Sequence, residues 1–285
     1  MTTIMSIQSS VAYGHVGNSA ASFALMRMGV ETYPVYTVHY SNTTSYGSWR
    51  GLNLSADEVL DVVKGIDDRG ALVGVDAVLS GFQGSTTMGD TIVAAVQLVK
   101  QRNPEAVYCC DPVMGDVGRG MYVADGVPQF LRERVIPHAD ITTPNQYELD
   151  YLTDSHTHTI DDLLVGVDRL IEQGPRTVLV TSALGSDDPT SATVSMVAAA
   201  ADEAWLVSTP RIDQVFTGSG DVTSAVFLAH WLESKSLAVA LKNTADIVYS
   251  LLEATATAGR RELALVDAQS DLVTPRFSFD VRQVR

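Results

Sequence analysis

The sequence predicts an α/β fold, a three-layer sandwich in which a central, mainly parallel sheet lies between two layers of helices. Two observations carry this. Short β-branched runs alternate with segments of helical periodicity over most of the chain, the pattern of strand–helix–strand crossovers. Helix boundary signals also fall where the alternation needs them: a Ser-x-x-Glu capping box opens one segment at Ser55 and Glu58, and Gly70 closes it.

In chain order, "TTIMSIQ" (residues 2–8) reads as a strand, followed by the glycine turn "YGHVGNS" and a helix "SAASFALMRMG" that stops at Gly29. "PVYTVHYS" is a strand and "SADEVLDVVKGIDDRG" a helix; "DAVLSG", "EAVYCCDP" and "ADITTPN" are strands, with the helix "GDTIVAAVQLVKQR" after the first and "QYELDYLT" after the last. Next come the helix "DDLLVGVDRLIEQG" and the strand "RTVLVTSA". The pattern then changes: residues 191–212 read as two antiparallel strands with a turn at Ala201 and Glu203, and the helices "GDVTSAVFLAHWLES" and "LAVALKNTADIVYSLLEATATAG" follow. Neither an internal repeat nor a Pro/Gly/Ser linker divides the chain, so one domain over residues 1–285 is expected.

Composition narrows the function. The 285 residues are 46% hydrophobic, enough for a large core, and carry a formal net charge of −15, which disfavours nonspecific binding to nucleic acid or an anionic membrane. The lysines, Lys64, Lys100, Lys235 and Lys242, lie outside every glycine-rich turn; a bound phosphate would fall to backbone amides, arginine or a metal, and a P-loop is disfavoured. Cys109 and Cys110 are adjacent, poor disulfide partners without metal-ligand spacing, and read as small apolar strand residues. The amino-terminal stretch lacks a basic region followed by an apolar run, and no apolar stretch approaches membrane-spanning length; a cytoplasmic protein is expected.

The acids that could carry chemistry share an address just past the carboxyl ends of expected parallel strands, where open α/β sheets bind ligands. Asp111 closes "AVYCCD"; Asn145 and Glu148 open the helix after "TTP", one turn apart on one face; Asp221 follows "TGSG". Alone, Asp111 reads as a turn former, Glu148 as a first-turn helix acid and Asp221 as a helix N-cap. Together they look like a site. A glycine-rich turn opening a helix is an anion site, so Asp221 is either a cap or a base facing a bound anion. The run from Gly218 has Thr223 where a dinucleotide fingerprint needs its third glycine, and His156 and His158, with no third ligand nearby in sequence, read as solvated loop residues.

The segments "CDPVMGD", "TPNQYEL" and "GSGDVTSAVF" resemble the ribokinase-like vitamin kinases, and "IQSSVAYGHVGNSA" with "TVHYSNTTSYGSWRG" narrows the resemblance to the pyridoxal kinases. What the resemblance implies is a ribokinase-like fold and transfer of the γ-phosphoryl group of ATP to the 5′-hydroxymethyl group of pyridoxal. Asp221 would be the catalytic base, with the N–H groups of Gly218, Ser219 and Gly220 facing the transferred group. Asp111 matches the nucleotide-site acid, and Glu148 with Asn145 the element that places Mg²⁺; Asp111 and Glu148 are the metal-site acids. Thr143, Thr181, Thr209, Pro210, Arg211 and Ile212 fall where the family contacts ATP. Ser9, Thr44 and Ser45 match vitamin contacts, and Phe82 would stack on the ring. The resemblance also implies a homodimer and leaves room for a monovalent cation.

Two positions depart from the family pattern. Thr181 stands where lysine is frequent, and Phe82 where tyrosine is usual. The alternatives are a hydroxymethylpyrimidine or pyridoxine kinase of the same fold, or a non-catalytic carrier of pyridoxal phosphate. Tyr13, Tyr46 and Phe82 suit a flat ring better than a polyol.

Overall fold

A strand at the centre of a parallel sheet is buried on both faces and favours apolar or small side chains, and β1 (Thr3–Val11) is buried along all nine residues, each apolar or small but Gln8. The computed structural model of the chain describes residues 1–184 and 191–285. After β1 come α1 (Asn18–Arg27), β2 (Glu31–Tyr40), β3 (Gly51–Asn53), α2 (Ala56–Asp67), β4 (Ala77–Ser80), α3 (Thr86–Arg102), β5 (Val107–Cys110), the short strands β6 (Gly115–Asp116) and β7 (Gly120–Met121), α4 (Val127–Phe130) and β8 (Ile141–Thr142). The chain continues through α5 (Gln146–Thr153), α6 (Ile160–Ile171), β9 (Thr177–Ala183), β10 (Thr193–Ala199), β11 (Ala204–Pro210), α7 (Ser219–Ser234), α8 (Leu237–Thr257) and β12 (Val281–Gln283).

Among the described residues, ten strands form one sheet in the order β12-β11-β10-β9-β8-β5-β4-β1-β2-β3, and β6 pairs with β7 apart from it. The strands from β2 to β9 across the centre are parallel; both edges are antiparallel, as are β10 with β11. One helix layer, with Val59, Ile92, Leu149 and Leu163, packs on one face in a single core with Met5 and Ile7. The other, with Leu25, Phe227 and Leu241, packs on the opposite face against Ile4 and Leu79. This is the expected sandwich. Because β2 and β4 flank β1 on opposite sides, the strand order reverses at β1, and such a reversal opens a crevice beyond the carboxyl ends of the strands.

Most expected elements are present, including the Ser55–Glu58 capping box and the β10–β11 hairpin, closed by the Ala200 N–H on the Glu203 carbonyl at 2.9 Å. α3 begins earlier than its apolar periodicity suggests because the Ser85 side chain accepts the Met88 N–H at 3.2 Å and caps it there. β8 is only two residues long, and Pro144, which has no N–H to give a ladder, follows closely. β3, the β6–β7 hairpin and β12 carry no alternation long enough to announce them. Among the described residues, no helix is long and apolar enough to cross a membrane.

Candidate active site

Asp221 stands in the first turn of α7, and its surroundings follow from the glycines before it. Gly218 is the N-cap, in the left-handed region at φ +85°. A Cβ there would also lie 1.8 Å from the His15 carbonyl oxygen, so only glycine fits for two independent reasons. The first helical hydrogen bond runs from the Val222 N–H to the Gly218 carbonyl at 3.2 Å, which places the amides of Ser219 and Gly220 among the orphan donors of a helix N-terminus. Asp221 is therefore not the N-cap. The nearby backbone amides of Gly17 and of Asp221 itself favour its ionised form, but burial, the largest influence, pushes its pKa up to about 6.

Asp111 leaves the end of β5, its N–H bonded to the Ser80 carbonyl at 2.9 Å. Its carboxyl is buried and raised well above the usual range, chiefly by burial and then by the charge of Asp221; the neighbouring hydroxyls of Ser224 and Thr143 oppose the shift. Those hydroxyls also meet each other at 2.8 Å. Thr143 is held where it is by its N–H on the Cys110 carbonyl at 3.1 Å.

Asn145 and Glu148 cap α5 reciprocally: the Glu148 N–H reaches Asn145 Oδ1 and the Asn145 N–H reaches Glu148 Oε2, both at 2.9 Å. The same two residues also reach outward. Glu148 Oε1 accepts the Met114 N–H at 2.9 Å, and Asn145 Nδ2 donates to the Gly115 carbonyl at 2.8 Å. Glu148 is buried, and burial, followed by the charge of Asp111, raises its carboxyl. Like charges held in a buried setting invite a cation.

On the other side of the crevice Ser9, near the end of β1, is buried, and its Oγ would lie 2.4 Å from a Cβ on Gly17. Thr44 and Ser45 belong to a single helical turn after β2, Thr44–Tyr46, in which the Ser45 Oγ accepts Arg261 Nη2 at 3.0 Å. The Phe82 carbonyl, just past β4, accepts the Thr37 hydroxyl at 3.4 Å. Thr181 lies in β9 and bonds the Pro144 carbonyl at 2.9 Å. Thr209 and Pro210 end β11, with Arg211 and Ile212 after them; β10 separates this strand from β9, about 10 Å across the sheet.

The comparisons with known proteins follow the same lines. A family model described as phosphomethylpyrimidine kinase matches residues 66–265. A pyridoxal kinase of Rubrobacter xylanophilus is 50% identical over 281 residues, covering 99% of this chain and 97% of its own, and one of Leifsonia xyli is 51% identical with 99% of both chains covered. The chain belongs to the pyridoxal kinase family. A solved pyridoxal kinase of Leishmania donovani, in complex with ADP and pyridoxamine, superposes with a TM-score of 0.92 at 26% identity over the whole of both chains. The ribokinase-like fold of the pyridoxal kinases is therefore the fold of this chain.

In this member of the pyridoxal kinase family, sequence reasoning passed over several residues at the site. Ser224 could have been found, being one helical turn beyond Asp221. Gly17, Arg261 and Glu262 could not, since their partners are remote: the His15 N–H that Glu262 accepts lies 247 residues away in sequence.

Proposed function

We propose that this protein transfers the γ-phosphoryl group of ATP to the 5′-hydroxymethyl group of pyridoxal, yielding ADP and pyridoxal 5′-phosphate. The observation that carries the reading is Asp221, a carboxylate held beside the orphan amides of α7 and so poised between a hydroxyl that must lose its proton and a phosphoryl group whose charge must be met. The curated pyridoxal kinases at 50% and 51% identity support the same substrates.

In the reaction Asp221 accepts the proton of the substrate hydroxyl as its oxygen bonds the γ-phosphorus; the bond from that phosphorus to the bridging oxygen breaks, and ADP leaves with the electron pair. Ser219 and Gly220 direct N–H groups at the transferred charge, with Gly218 shaping the turn. A pKa of about 6 leaves Asp221 ionised at neutral pH, as a base must be. Ser9, Thr44 and Ser45 hold the vitamin and Phe82 covers its ring, while Thr143, Thr181, Thr209, Pro210, Arg211 and Ile212 line the nucleotide side.

Asp111 and Glu148 fit Mg²⁺. Two buried carboxyls, each raised by burial and by a neighbouring acid, Asp221 for Asp111 and Asp111 for Glu148, suit a divalent cation, which takes one or two carboxylates and completes its shell with phosphate oxygens and water. Both Glu148 oxygens already accept backbone N–H groups, so Asp111 and Glu148 together would hold the cation, with Glu148 contributing chiefly its charge. The cation would neutralise phosphate charge. A cytoplasmic homodimer with one folding domain per chain, and a monovalent cation near the nucleotide, complete the reading.

The test is ADP release with pyridoxal, pyridoxine, pyridoxamine and hydroxymethylpyrimidine. The match to the phosphomethylpyrimidine kinase family favours the last as the competing substrate. Higher kcat/KM for hydroxymethylpyrimidine than for pyridoxal would overturn the assignment, and no ADP with any of them would point to a carrier.

A further inference from the structure

The single turn Thr44–Tyr46 contains no buried residue, so it has no apolar anchor of its own. Beyond its own neighbours and the Tyr13 ring, 6.4 Å from that of Tyr46, what holds it comes from the far end of the chain. The Tyr46 hydroxyl donates to Glu262 Oε1 at 2.8 Å, and the carboxylate beside it pushes the Tyr46 phenol up. Arg261 Nη2 donates to Ser45 Oγ at 3.0 Å, and its guanidinium lies 5.1 Å from the Tyr46 ring centre.

The other oxygen of Glu262 reaches the amino-terminal glycine turn. Oε2 accepts the His15 N–H at 2.9 Å. A Cβ on Gly14 would sit 2.3 Å from that oxygen, so the carboxylate fills the volume that the absent side chain leaves. The His15 carbonyl in turn packs on Gly218, and the Thr217 N–H bonds the Arg261 carbonyl at 3.2 Å. One dipeptide thus ties together the Thr44–Tyr46 turn, the turn after β1 and the residue that leads into the catalytic turn.

We propose that Glu262, assisted by Arg261, is a positioning residue for the vitamin side of the site: it holds the Thr44–Tyr46 turn against the ring substrate and sets the affinity for that substrate. This rests on the reading of Thr44 and Ser45 as vitamin contacts. The hydrogen bonds of Glu262 run to Tyr46 and His15 and not to Asp221, so loss of the clasp acts on binding of the ring more than on the proton transfer.

The test compares Glu262→Ala, Glu262→Gln and Tyr46→Phe in the full-length protein. Glu262→Ala is expected to raise KM for pyridoxal by about 10- to 100-fold, the scale of a lost charge-assisted hydrogen bond, with a far smaller change in KM for ATP and in kcat. Glu262→Gln keeps an acceptor for Tyr46 and recovers part of the loss. Tyr46→Phe raises the same KM, and adding it to Glu262→Ala changes little more, since the two share one bond. Amide hydrogen exchange without substrate is expected to speed up at residues 43–47 in Glu262→Ala; should that variant fold poorly, Tyr46→Phe carries the measurement. An unchanged KM for pyridoxal, an equal rise in KM for ATP, or unchanged exchange at residues 43–47 would overturn the proposal. If wild type releases no ADP with pyridoxal, the vitamin reading fails, while the exchange result still decides whether the clasp exists.

Discussion

Glu148 Oε1 accepts the Met114 N–H at 2.9 Å and so fastens the first turn of α5 to the loop that follows Asp111. Its carboxylate thereby caps a helix, orders a loop and faces a second acid. Glu148→Gln keeps the side chain's size but loses charge and places an amide N–H against backbone N–H groups. It is expected to raise the Mg²⁺ concentration for half-maximal rate more than it raises KM for pyridoxal. Rates measured over a Mg²⁺ series check this; an equal shift in both would remove the metal role.

Asp221→Asn separates chemistry from binding. Removal of a general base is worth on the order of 10²–10⁴ in rate, so kcat should fall by about that much while Kd for pyridoxal and for ATP changes little. Since Asp221 is not the N-cap of α7, loss of a cap cannot explain such a fall. A kcat close to wild type at unchanged Tm would return the turn to a structural role.

The pH profile should carry the signature of the same carboxylate. Asp221 works only when ionised, and its pKa is raised to about 6, so kcat/KM should hold above that value and fall about tenfold per pH unit below it. In Asp221→Asn the residual rate should lose this acid limb. A limb that survives the substitution belongs to another group.

Asp111→Asn should trade activity for stability. Folding raises the Asp111 carboxyl, so the folded chain prefers it protonated, and stability is lost as the pH rises from the ordinary carboxylate range through the raised value. The variant should therefore show a higher Tm than wild type at about pH 8, and the gain should nearly disappear at about pH 4, where the folded carboxyl is protonated and the unfolded one is about half protonated. Thermal unfolding at the two pH values checks this; a variant equally stable or less stable at the higher pH would contradict the burial argument.

Gly218→Ala and Gly220→Ala should behave differently although they are two residues apart. At Gly218 the backbone is left-handed and the new methyl would strike the His15 carbonyl, so a loss of at least about 1–3 kcal/mol is expected. At Gly220 nothing lies within 4 Å of the new methyl, and alanine suits a helix better than glycine, so Tm should hold. Differential scanning calorimetry of both variants, with KM for ATP measured on Gly220→Ala, separates backbone strain from intrusion on the anion site.

Much of this molecule was legible locally. Strand and helix alternation, the cap at Ser55 and the glycine turn before Asp221 depend on residues a few positions apart, so the α/β class and the address of Asp111, Asn145 and Glu148 past the ends of parallel strands could be read directly; Asp221 departs from that expectation, since it stands in α7 beyond the antiparallel β11. The motifs and their spacing extended that reading to a family. Tertiary structure decided what distant residues do to one another. That Gly218 rather than Asp221 caps α7 depended on the left-handed backbone at Gly218; the upward shifts at Asp111 and Glu148 come from burial and from the charge of a neighbouring acid, which exist only once β5, α5 and α7 have packed. The Glu262 clasp lies wholly on this side of the line, because hydrogen bonds to His15 and Tyr46 across more than two hundred residues leave no periodicity and no local motif in the chain.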